Sequence, residues 1–178
     1  MSMRLTIITP AIRPSGALRA AASVQDARSA RPDLDIRHTI AYWPGESDRS
    51  YATFGDHLSA IIRHTAPGWL LCLDDDTLLH PQLPARLAAL GEETPTAWAF
   101  LFAMDYPAFG TLSPQLPPHV GHIDGGQAAI WQSYAASVAW PNGPRGDGLY
   151  LAALYATAPD RWRCVPEVLT AHNAQERR

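Results

Sequence analysis

The sequence predicts an α/β fold, a mostly parallel sheet flanked by helices and built as a single domain. Three observations predict it. Strand-like and helix-like segments alternate through the first 104 residues, and such alternation builds parallel sheets with helices on both faces. Trp69-Leu70-Leu71-Cys72-Leu73 is an unbroken apolar run, too short for a helix and of the kind found in strands buried on both faces. The chain has 178 residues, 47% of them apolar, which suits one domain with a substantial core.

Each element follows from local pattern. Arg4 to Thr9 is the first strand, ended by Pro10, and a loop to Ser15 carries Arg13. A helix starts at Ser15 or Gly16, runs through an alanine-rich stretch to about Ala30 and stops at Pro32. Asp35 to Tyr42 alternates as a second strand, broken by Trp43-Pro44-Gly45. Tyr51 to Thr65 places Phe54, Leu58, Ile61 and Ile62 on one helical stripe, and Pro67-Gly68 ends it before the central strand. Pro81 suits a first helical turn, Leu83, Leu87 and Leu90 continue that helix, and Gly91 ends it. Thr96 to Met104 is a further strand. The second half is less regular: a Pro/Gly-rich loop over Asp105 to Pro118, long enough to suggest function, a short strand at Val120 to Ile123, and a turn at Asp124 to Gln127. Ala128 to Trp140 reads as helix, Asp147 opens another through Ala158, and Arg163 to Val168 is a last short strand before a tail with His172 and Asn173.

Composition excludes several functions. The formal charge of −3 argues against a general nucleic-acid binder. All 14 basic residues are arginine, so Schiff-base and P-loop lysine chemistry are ruled out. Cys72 and Cys164 lie in apolar contexts without metal-ligand spacing and read as small buried hydrophobes in a reducing compartment. Neither a signal peptide nor an apolar stretch of membrane-spanning length is present, so a soluble cytoplasmic protein is expected.

The chemistry centres on Asp74-Asp75-Asp76, directly after the buried run. Three adjacent carboxylates repel one another and belong at the strand's carboxyl end, where open α/β sheets bind ligands. Carboxylates clustered there suit a hard divalent ion, Mg2+ or Mn2+, shared with substrate phosphates. The plainer alternative is a solvated acidic turn.

The order of these features resembles the GT-A (Rossmann-like) fold of nucleotide-sugar glycosyltransferases, closest to small inverting enzymes of the family 2 type. The residues that carry the resemblance are the first strand Leu5 to Pro10, the aspartate cluster, Gly121-His122-Ile123-Asp124-Gly125-Gly126, Gly146-Asp147-Gly148 and the late His172-Asn173. The resemblance implies a nucleotide-binding half over 1–104 and a donor-sugar and acceptor half over 105–178. It makes Asp74 and Asp76 the DxD motif (with Asp75 beside the donor), His172 a further metal ligand, and Asp147 the catalytic base. Asp124, Gly125 and Gly126 would border the donor sugar, and Thr9, Pro10 and Arg13 the nucleoside, with Arg13 able to pair with a phosphate. The partners implied are a nucleotide-sugar donor, UDP-linked, and an acceptor that is a glycan, a lipid or a small molecule. Other readings stay open for several of these residues. Asp147 and Asp124 also suit helix caps, and His172 a frayed tail. Where the family usually has an acidic residue at the end of strand two, this chain has Tyr42-Trp43, with Glu46 and Asp48 close by. A nucleotide-binding module without turnover and a metal-dependent phosphohydrolase or nucleotidyltransferase are the competing functions.

Overall fold

The computed structural model describes residues 3–42, 53–107 and 110–172. Trp43, Glu46, Asp48 and Asn173 lie outside the described residues. One curled eight-stranded sheet organises the chain. Its strands are β1 (Arg4–Ala11), β2 (Asp35–Tyr42), β3 (Trp69–Cys72), β4 (Thr77–Leu79), β5 (Ala99–Tyr106), β6 (Gly110–Leu112), β7 (Ala128–Trp131) and β8 (Trp162–His172). The helices are α1 (Pro14–Ala30), α2 (Phe54–His64), α3 (Leu83–Glu93), the single turn α4 (Gln132–Ala135) and α5 (Gly146–Thr157).

The strand order is β2-β1-β3-β7-β5-β8-β4, with β6 beside β5. The expected mostly parallel sheet is instead mixed. β1 runs parallel to β2 and β3, and β5 parallel to β8. β7 is antiparallel to both β3 and β5, while β4 and β6 pair antiparallel with β8 and β5. The source of the difference is Ala128 to Trp131. Read as the start of a helix, this segment forms a strand wedged between β3 and β5, with Ala128, Ala129 and Ile130 buried. A short apolar run carries no period that separates a buried strand from a buried helix.

Alternation along the strands divides the core in two. Ile7, Leu71 and Phe100 face α1 and α3 through Val24, Leu83 and Leu87. Ile8, Leu70 and Leu101 face α2 and α5 through Leu58, Ile62, Tyr150 and Leu154. Successive strand side chains point to opposite faces, so both layers are filled from the same strands.

Several boundaries differ from expectation. β1 continues through Pro10 to Ala11, because Pro10 lies past the Leu5–Ile8 stretch paired with β3 and is edge-like on that side. α3 continues past Gly91 to Glu93. No strand forms at Val120 to Ile123, where the chain turns instead. Cys164 is exposed, although Cys72 is buried as expected. The last strand is 11 residues long. It passes Pro166 with an irregular register, Phe102 facing Val165 and Ala103 facing Val168. That extension carries His172 into the sheet opposite Thr77.

Candidate active site

The site is built where β1 and β3, parallel neighbours, end side by side. Their loops are tied together by Asp75, which is 5% exposed. Its Oδ2 accepts the backbone N–H of Ile12 at 2.9 Å and of Arg13 at 2.7 Å, and its Oδ1 is held by the Arg13 guanidinium. Both carboxylate oxygens are therefore committed within the protein, and hydrogen bonds to a carboxylate are among the strong ones. The same two loops are closed by a tight approach of α1. A Cβ on Gly16 would lie 2.4 Å from the Asp75 carbonyl oxygen. Gly16→Ala is expected to push α1 from the aspartate loop and cost about 1–3 kcal/mol, read as a lowered denaturation midpoint with an unchanged denaturant slope.

Asp74 to Thr77 forms a turn closed by the Thr77 N–H on the Asp74 carbonyl at 3.0 Å, and β4 follows at once. β4 was not legible as a strand, yet it determines the site. Its pairing with β8 sets Thr77 against His172, so His172 Nδ1 comes within 3.5 Å of Asp76 Oδ1. His172 is 4% exposed and its ring stacks on Tyr106, centroids 4.1 Å apart and planes 3° apart. It is a buried strand residue and not part of a frayed tail. The other oxygen of Asp76 is 3.0 Å from Arg13 Nη2.

Asp147 lies in the first turn of α5, whose N-cap is Arg145, so it does not cap the helix. Its Oδ2 accepts the Gly125 N–H at 3.3 Å. Burial raises its pKa above the ordinary aspartate value, partly offset by backbone N–H groups of Gly148, Gly125 and its own residue. Asp124 does cap: its Oδ1 accepts the Gly126 N–H at 2.8 Å, and Gln127 Oε1 accepts the Asp124 N–H at 3.0 Å. This capping box shapes the Gly125–Gln127 turn. Gln127, buried and overlooked in the sequence, donates to the Phe102 carbonyl at 3.1 Å and pins the turn to β5. Gly126 packs closely there: a Cβ would meet Met104 Cε at 3.0 Å and Thr77 Cγ2 at 3.1 Å.

Asp74 stands among these acids. Its pKa is pushed well up, by burial first, then by Asp124, Asp147, Asp76 and Asp75. The loops after β1 and β3, the Asp124 turn and the start of α5 thus gather five carboxylates from distant parts of the chain. Asp74, Asp75, Asp76 and Asp147 line a cavity of about 280 Å³ together with Pro10, Ile12 and Arg13. Its apolar side is Phe54, Leu58 and Trp140, residues whose sequence pattern signalled only packing. A second cavity of about 480 Å³ is lined by Tyr106, His122, Ile123, Asp124, Arg145 and again Asp147. Asp147 borders both. Thr9, by contrast, turns to β2: it is fully buried and its Oγ1 is 2.8 Å from His38 Nε2. Tyr42 is half exposed at the end of β2. Two larger hollows, one at Trp69, Trp98 and Trp131 and one at Arg4, Arg37 and His64, contain none of these aspartates.

The donor set of hard carboxylate oxygens and one imidazole suits Mn2+ or Mg2+. Among the described residues, no group of three or more His, Cys, Asp or Glu side chains is arranged to hold a metal by itself. A cation there would need ligand oxygens to complete its shell, the usual state of Mg2+ at phosphate sites. No helix among the described residues is long and apolar enough to cross a membrane.

No protein-family model matches the sequence, and no curated protein sequence matches it. Solved structures do match. A mannosyltransferase, PcManGT from Pyrobaculum calidifontis in complex with GDP-Man and Mn2+, aligns over 99% of this chain and 59% of its own, with a TM-score of 0.66 at 12% identity. TarS 1-349 of S. aureus aligns over 96% of this chain and 60% of its own, with a TM-score of 0.64 at 13% identity. A glycosyltransferase involved in glycosylation of the major capsid of PBCV-1 aligns over 97% and 96%, with a TM-score of 0.59 at 12% identity. This chain spans about three fifths of the first two and nearly all of the third. At these identities the likeness establishes a shared fold: the α/β sheet described above is that of glycosyltransferase structures.

Proposed function

We propose that this protein is a metal-dependent glycosyltransferase that moves a sugar from a nucleotide-diphosphate donor, UDP-linked in our reading, to an acceptor hydroxyl with inversion at the anomeric carbon. One observation carries the reading: Asp74, Asp76 and Asp147 line one cleft, and His172 lies 3.5 Å from Asp76. The shared fold, and the GDP-Man and Mn2+ held by one neighbour, support it.

In this reading the smaller cavity takes the donor. Pro10, Ile12, Phe54 and Trp140 supply the apolar wall for a nucleoside, and Arg13 faces its phosphates. Asp75 positions Arg13 and the loop after β1 instead of touching the donor. Thr9 supports that loop through His38. Asp74, Asp76 and His172 would hold Mn2+ or Mg2+, which when bound supplies positive charge that stabilises the departing diphosphate. The second cavity takes the acceptor (a glycan, a lipid or a small molecule). Gly125, whose N–H bonds Asp147, and Gly126 would bring backbone near the sugar, and Asp124 holds their turn. Asp147, common to both cavities, accepts the proton of the acceptor hydroxyl. The hydroxyl oxygen bonds to the anomeric carbon as the bond to the diphosphate breaks. One base and one displacement invert that carbon.

Only ionised Asp147 can take the proton, and burial raises its pKa. Activity is therefore expected to rise with pH through a pKa above the ordinary aspartate range, measured as kcat/KM against pH, and the acid limb should be absent from residual Asp147→Asn activity. The function itself is tested by incubating the protein with UDP-hexoses and Mn2+, with and without hydroxyl acceptors, and following nucleotide release. Acceptor-dependent release is expected. Equal release without acceptor points to a hydrolase, and no release from any donor points to a binding module.

A further inference from the structure

This inference rests on the donor-transfer reading and concerns what Arg13 does before a donor arrives. The Arg13 guanidinium reaches into the smaller cavity, where about a third of the side chain remains exposed. It contacts Asp75 Oδ1 and lies 3.0 Å from Asp76 Oδ2. The two aspartates are not equivalent. Asp75 is buried and also holds the backbone N–H groups of Ile12 and Arg13. It is a fixed anchor that keeps Arg13 next to the cation position. Asp76 is more exposed, at 15%, and its Oδ1 lies 3.5 Å from His172 Nδ1. A divalent cation at Asp76, even on the Oδ1 that faces His172, would have the anchored guanidinium on Oδ2 beside it as a like charge. A diphosphate relieves this, because its oxygens match the guanidinium fork at least as well as a carboxylate does.

We propose that Arg13 is an exchangeable internal cation. In the unliganded protein it neutralises Asp76, and on donor binding it passes to the diphosphate and releases Asp76 for the divalent ion. Donor and divalent ion then bind as a coupled pair, and the coupling is reciprocal. Neither is held tightly alone, so the acidic cleft does not collect bare metal ions.

The test is Mn2+ binding to the full chain, read from the paramagnetic resonance signal of free Mn2+, without nucleotide and with saturating UDP. Without nucleotide, Arg13→Gln is expected to bind Mn2+ about tenfold tighter than the parent protein, because a like charge a few ångströms away is removed. It should also lose most of the gain that UDP confers. Arg13→Lys keeps the charge that buried Asp75 needs but cannot bridge two carboxylates, so it remains folded if the Gln variant does not; its expected gain is about threefold. If Arg13 merely holds the loop, both variants bind bare Mn2+ more weakly. That result, or unchanged affinity, overturns the exchange. Absence of Mn2+ binding to the parent protein even with UDP would instead sink the donor-transfer reading, whereas Mn2+ and UDP binding without a gain in either variant removes only the exchange.

Discussion

Replacing Asp147 by Asn lowers kcat by about a thousandfold, within the range that a positioned general base contributes, while Mn2+-dependent nucleotide binding is retained. The expectation rests on where Asp147 sits. It borders both cavities, its Oδ2 takes a long 3.3 Å bond from Gly125, and the N-cap of α5 is Arg145. An amide of the same shape can keep the Gly125 contact through its oxygen, so the fold has little reason to change. It cannot accept a proton. Single-turnover measurement separates the chemical step from binding. A variant whose kcat is within a few-fold of the parent would remove Asp147 from the reaction.

Asp74→Asn is expected to raise stability and to abolish metal-dependent nucleotide binding, two effects of opposite benefit from one change. Burial and four neighbouring carboxylates hold the Asp74 pKa well above its ordinary value. A folded state that binds its proton more tightly than the unfolded chain is fully stabilised below the ordinary aspartate pKa. That stability is lost as pH rises through the folded-state value. Above that folded-state value an ionised Asp74 therefore strains the fold. Asn removes this charge and should stabilise by about 1–2 kcal/mol, in the range of other relieved functional-site strain, or roughly 2–8 °C in Tm for a chain of this size. The gain should shrink on acidification, as Asp74 in the parent protein becomes protonated. Scanning calorimetry at several pH values checks the sign. A loss of stability at neutral pH would mean that Asp74 is satisfied by the protein alone and is not held in reserve for a cation.

The first half of the chain was largely legible because its signals are local. β3 is an apolar run closed by charge, α1 is bounded by prolines, and α2 carries its stripe at helical spacing. The aspartates could be placed at a strand end for the same reason. The rest depends on contacts between distant residues. β4 has three residues, too few to carry a period, and is a strand only because β8 lies beside it. Pro166 and Glu167 interrupt the apolar pattern of β8, so its reach to His172 was hidden, and with it the meeting of His172 and Asp76. The role of Asp75 was equally hidden. Its partners, Ile12 and Arg13, lie more than sixty residues away in sequence. Phe54, Leu58 and Trp140 pattern as core residues, and only the cavity between them and the acids gives them a second use.

The most direct measurement is a thermal-shift titration with UDP, GDP and ADP, each with and without Mn2+, on the parent protein and on the Asp74→Ala/Asp76→Ala double variant. A ligand that binds the native state raises Tm by mass action, by about 2.7 kcal/mol of stability at a hundredfold excess over Kd. The account predicts a Tm rise for one nucleotide that requires Mn2+ and vanishes in the double variant. No Mn2+-dependent shift with any of the three would contradict it and return the aspartate cluster to a solvated acidic turn.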